Sequence, residues 1–120
     1  MPDSPHVSFA KSPPALVARF AEVLDRYPDA KRRQMFGYPA AFIGGNMVTS
    51  LHGERWVVRL SEDSRGELLA LAGAGPFEPM PGRPMKGYAT LPPSVVADDS
   101  ELHAWVRRAI EFGQTLPPKR

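Results

Sequence analysis

Apolar residues at Leu16, Phe20, Leu24 and Tyr27 recur at spacings of four, four and three, which places them on one face of a helix. Ser12 offers an N-cap oxygen, Pro13 suits a first helical turn, and Pro28 stops the helix. From Gln34 the period shortens. Short apolar runs at 35–38, 41–43, 47–51 and 56–60 are separated by Gly44-Gly45-Asn46 and His52-Gly53-Glu54, residues that tolerate tight hairpins. In the last run Trp56, Val58 and Leu60 alternate with Arg55, Val57 and Arg59, predicting a sheet packed on one face and wet on the other, hence antiparallel. Ser61 with Glu62 and Asp63 opens a second helix, with Leu68, Leu69 and Leu71 as its apolar face and Gly73 as its end. A Gly/Pro loop over 73–84 leads to a strand over 85–91. Asp98 and Glu101 then form a capping box for a helix that turns Leu102, Trp105, Val106, Ala109 and Ile110 inward and ends at Gly113 and Pro117.

The predicted fold is α+β: an antiparallel meander with helices packed on one face, in the order α-β-β-β-β-α-β-α. At 120 residues the chain reads as one domain, 1–120, with loose tails at 1–11 and 115–120. A chain of this size buries roughly 65% of its unfolded surface, enough for one core.

Composition removes several function classes. There is no cysteine, so disulfides, thiolate catalysis and Cys-ligated metals are excluded. The N-terminus has no apolar run of signal-peptide length and no stretch approaches a membrane span, so the expected location is cytoplasmic, with no membrane partner. His6, His52 and His103 share no ligand spacing and no carboxylate cluster, so no metal site is predicted. No G-x-S-x-G elbow occurs, the acidic residues lie mostly at helix starts or on solvated helix faces, and no carboxylate pair is singled out. Gly73-Ala74-Gly75 follows a helix, lacks the phosphate-loop lysine and precedes Pro76, so it is not a phosphate cradle. No catalytic residue and no cofactor are therefore expected, and the chain reads as a non-enzyme.

Two features stand out as candidate chemistry. The net charge of +2 is slight, but Lys31-Arg32-Arg33 leads into the sheet and Arg55, Arg59, Arg83 and Lys86 lie further on. Convergence of Arg32, Arg33, Arg55, Arg59 and Lys86 would give a nucleic-acid-binding face, whereas dispersed they only solvate the surface. The second feature is the loop carrying Phe77, Met80, Arg83, Met85 and Tyr88. Exposed, it would be a protein-partner site; tucked down, it would be a lid over the sheet.

The ordered series Met35-Phe36-Gly37, Gly44-Gly45-Asn46-Met47, Trp56 to Leu60, Pro76-Phe77 and Gly82-Arg83-Pro84-Met85 with Tyr88 resembles the N-terminal domain of TfoX/Sxy family proteins, over about residues 14–112. The resemblance implies a stand-alone form of that domain, with an α+β fold and no assigned catalytic residues. It also implies a role in regulation of the transcription or competence type, in concert with a transcription factor of the cAMP-receptor kind. The resulting expectation is a non-enzymatic regulatory or adaptor domain that binds a protein partner. The alternatives are a direct nucleic-acid-binding domain and a small-molecule-binding protein. Monomer and dimer both remain open.

Overall fold

The computed structural model describes residues 11–119; His6 and nearly all of the expected N-terminal arm lie outside them. The elements are α1 (Pro14–Leu24), β1 (Lys31–Met35), β2 (Tyr38–Ile43), β3 (Asn46–His52), β4 (Arg55–Arg59), α2 (Glu62–Leu69), β5 (Gly75–Pro76), β6 (Tyr88–Thr90), α3 (Pro93–Val96) and α4 (Asp99–Thr115). The longer elements follow the expected order, and the two-residue β5 and one-turn α3 are additions. All pairings in the six-stranded sheet are antiparallel, in the order β1-β2-β3-β4-β6-β5. The fold is α+β, with helices on one face.

That helix-side face holds the main core. Trp56 and Val58 of β4, and Leu60 just beyond it, share a core with Phe20, Val23 and Leu24 of α1, Leu68 of α2, Val95 of α3 and the inward stripe of α4. The rings of Phe20 and Trp56 pack at a 45° tilt with centroids 5.2 Å apart. Burying an indole removes roughly 200 Å² from water, an upper bound on the order of 5 kcal/mol. The indole N–H of Trp56 donates to Thr49 Oγ1 at 2.9 Å, and that hydroxyl donates to the Val57 carbonyl at 2.6 Å, so two buried polar groups are satisfied together.

Several local expectations are corrected. The run 35–38 is split by a two-residue turn at Phe36-Gly37 that joins the end of β1 to the start of β2, and the basic run belongs to β1. Phe36 and Gly37 both have positive φ (54° and 82°), the type I′ geometry that a two-residue hairpin requires. Met85–Leu91 pairs only over Tyr88–Thr90, because Gly87 (φ 91°) and the Tyr88 N–H bond to Met85 O turn the chain first. Ser12 is not the cap of α1; Pro13 holds that position, and the Ser12 hydroxyl donates instead to Gly53 O at 2.6 Å. Leu69 and Leu71 are exposed, leaving Leu68 as the buried residue of α2, which is only eight residues long.

Ser61 and Asp98 do cap their helices, accepting from the N–H of Ser64 and Glu101. Gly113 does not end α4. It lies buried within it, where a Cβ would collide with Val48 Cγ1. Val48 is the extra residue of a β-bulge, since Ala41 pairs Thr49 while Phe42 pairs Met47. The bulge thus drives a valine toward α4, and the missing side chain of Gly113 receives it.

The other sheet face is not wet. Ala40, Phe42, Met47, Val57, Phe77 and Tyr88 form a second buried cluster there. At the chain's C-terminal end, Asn46 Nδ2 donates to Pro117 O at 3.0 Å and the Lys119 N–H to Gly44 O at 2.7 Å, tethering residues 117–119 to the β2–β3 turn.

Candidate functional site

The second cluster is built by the loop between β5 and β6. Phe77 and Tyr88, at its two ends, are 5% and 7% exposed and lie against the sheet. The Tyr88 hydroxyl donates to Met47 O at 2.9 Å. Burial pushes the Tyr88 phenol above its ordinary pKa, against the opposing pull of Arg59. The middle of the loop remains outside: Met80 is 61% exposed, Met85 38%, and Arg83 is exposed. The Met85 N–H donates to Phe77 O at 2.8 Å and the Arg83 N–H to Met80 O at 2.9 Å, so the loop has its own internal ladder. Of the five loop residues singled out, two anchor the loop as a lid and three face outward.

An aromatic line runs under this loop. Tyr38 and His52 have ring centroids 4.8 Å apart, His52 and Phe77 5.3 Å, and Phe77 and Tyr88 6.5 Å. Burial, and then the nearby Arg55 cation, hold the His52 imidazole below its ordinary pKa. Beside the line is a small cleft of about 60 Å³, lined by Met35, Phe36, Met47, Phe77, Pro79 and Met85 among others. Phe36 stands at its mouth, 82% exposed on a backbone with φ 54°. A large apolar side chain held exposed in a left-handed conformation contradicts both burial and backbone preference.

Neither Phe36 nor His52 was among the residues expected to matter. The signal for Phe36 was Gly37 followed by Pro39: an X-Gly pair between two strand-like runs reads as a two-residue turn, and turns are exposed. For His52 there was no signal, because its neighbours Tyr38 and Phe77 are distant in sequence.

The five basic residues do not converge. The Arg32 guanidinium lies toward α1, donating to Ala21 O at 3.0 Å and to Asp25 Oδ1 at 2.8 Å. Arg33 and Arg59 lie on the opposite face, over the Phe42 ring (5.1 Å) and the Tyr88 ring (5.5 Å). Arg55 lines a separate open groove of about 800 Å³ at the end of the sheet, between α1, β5 and α3. In that groove Arg19 is already engaged, by Val96 O at 2.9 Å and Asp99 at 3.3 Å. Lys86 is exposed on the loop.

Among the described residues no group of three or more His, Cys, Asp or Glu could hold a metal ion, and no helix is long and apolar enough to cross a membrane. No curated protein and no solved structure matches the chain significantly. The family profile of the TfoX N-terminal domain matches residues 22–113, a span that runs from α1 into the last turns of α4 and so takes in the sheet, the loop and the hairpin tip. The chain belongs to the TfoX N-terminal domain family.

Proposed function

We propose that this protein is a non-enzymatic regulatory or adaptor domain, acting in the cytoplasm, that binds a protein partner through the hairpin tip and the outer part of the 77–88 loop. The observation that carries this reading is Phe36, held exposed on a left-handed backbone where it lines a small apolar cleft together with Met85. Such strain persists where a surface has a use for the side chain. Flexible methionines around an aromatic anchor make an adaptable contact surface, and Arg83 supplies a polar rim. Family membership supports a regulatory role of the transcription or competence type, with a transcription factor as the partner.

The test is capture of a partner from a cell lysate by immobilised protein. The Arg83→Ala, Met85→Ala double variant retains its fold, since both residues are exposed, and captures less partner. Equal capture by a folded double variant removes this surface from consideration.

Direct nucleic-acid binding is the second reading, reduced to Arg33, Arg59 and Lys86 because Arg32 is turned to the helix side and Arg55 to the groove. It predicts binding of labelled mixed-sequence DNA or RNA that weakens steeply with salt. Absence of binding at low salt eliminates it.

A further inference from the structure

Strand β1 is the first strand of the sheet and pairs only with β2 among the described residues. Its register with β2 says which backbone groups are spent. The two-residue turn makes Met35 and Tyr38 a hydrogen-bonded pair, so Arg33–Ala40 and Lys31–Phe42 are bonded too. Arg32 and Gln34 fall in the alternate positions, where N–H and C=O point away from β2. Pro39 opposite Gln34 fits this assignment, because a proline is tolerated where no N–H is needed by the partner strand. Four backbone groups, on Arg32 and Gln34, therefore face outward along an exposed edge. This edge is also held in place: the Arg32 side chain ties β1 to Ala21 and Asp25 of α1.

On this edge we propose that the domain takes an extended acidic segment of its protein partner as a seventh strand, the segment running along β1 to the exposed Phe36. This rests on the partner-binding reading above and names the chemistry of the partner. Charge selects the occupant. Lys31 and Arg33 both project on the face opposite α1, so a segment with carboxylates on that face is complementary. A second copy of this chain is disfavoured, because antiparallel self-pairing of β1 sets Arg33 opposite Arg33, or Lys31 opposite Arg33, and like charges directly opposite destabilise. The Asp25–Arg32 pair leaves the helix side neutral. Strand addition supplies main-chain hydrogen bonds, and the adjoining tip and cleft supply an apolar anchor.

The probe is a ten-residue peptide alternating Glu with Val and Thr, titrated into isotope-labelled protein at low salt and followed by amide hydrogen exchange. Exchange at the Arg32 and Gln34 N–H slows at least tenfold on binding. Arg33, already in the β2 ladder, is unchanged. Replacing Glu by Lys in the peptide weakens binding at least tenfold. Gln34→Pro does the same while leaving the Arg33 amide protected; the exchange pattern of the unsubstituted protein stands on its own should that variant not fold. Shifts at Phe36 and Met85 without protection at Arg32 and Gln34 overturn the added strand but keep the partner surface. No shift anywhere overturns the acidic segment. A mixed-sequence DNA oligomer that displaces the peptide and perturbs Lys31 and Arg33 without protecting Gln34 overturns it in favour of nucleic acid. Loss of the partner-binding reading itself is read separately, from capture by the Arg83→Ala, Met85→Ala variant.

Discussion

Gly113 and Phe36 are the two positions where a single side chain decides most. At Gly113 any Cβ collides with Val48, and both sit between α4 and the sheet, where neither backbone has room to retreat. Gly113→Ala therefore costs about 2–3 kcal/mol despite the better helix propensity of alanine. Val48→Ala in the same chain recovers part of that loss, a coupling that urea denaturation of the two single variants and the double variant measures directly. Phe36 shows the reverse case. Asparagine tolerates positive φ, so Phe36→Asn raises stability by about 1 kcal/mol in the same assay. If the hairpin tip is the partner surface, that more stable variant captures less partner, and equal capture separates the strain from the function.

At the scale of elements, the 77–88 loop is a lid fastened at both ends, and a titratable group stands at each: His52 against Phe77 at one, Tyr88 itself at the other. The unfolded chain protonates His52 near pH 6.5, whereas the folded protein, which holds this imidazole partly buried and close to Arg55, takes up the proton only at lower pH. Between those two values the unfolded state binds more protons, so stability falls as pH drops below about 6.5 and levels off beneath the folded value. Replacing His52 by Phe keeps a ring between Tyr38 and Phe77 and flattens that part of the stability–pH profile. Tyr88 acts at the other extreme: its raised pKa favours the neutral phenol in the folded state, so stability is lost as pH rises past about 10. Phe77→Ala removes the ring that links His52 to Tyr88 and costs about 3 kcal/mol. Its first sign is faster exchange of the Leu60 N–H, which donates to Gly87 O.

Taken whole, the molecule has two apolar clusters separated by one sheet, and β2, β3, β4 and β6 contribute to both. Sharing those strands makes the clusters one cooperative unit. Trp56 and Trp105, buried on the helix side, report one cluster, and the exchange of loop amides reports the other. Urea unfolding followed by tryptophan fluorescence and by far-UV circular dichroism is expected to give coincident transitions. Two separated transitions mean that the loop side melts as its own unit. The surface shows a matching division: the helix side of β1 is neutralised by Asp25, whereas the other face keeps Lys31 and Arg33 beside the exposed tip.

What the sequence determined by itself follows from local rules. The inward stripe of α4, the caps Ser61 and Asp98, the two glycine turns around β3, and the alternation of β4 are all written in periods and turn chemistry, which need no distant neighbour. Together they sufficed for the α+β class and the element order; the family came from resemblance, through the motif series from Met35-Phe36-Gly37 to Tyr88. Tertiary structure decided whatever depends on meeting across the fold. Gly113 looks like a helix stop until Val48 is seen to fill its place. Phe77 and Tyr88 look equally fit for solvent or for burial until the sheet beneath them is assembled. Whether the basic residues converge or disperse stays open in the sequence until strand alternation turns Arg32 and Arg33 to opposite faces. A period fixes which residues share a face, but only the packed sheet fixes what each face meets.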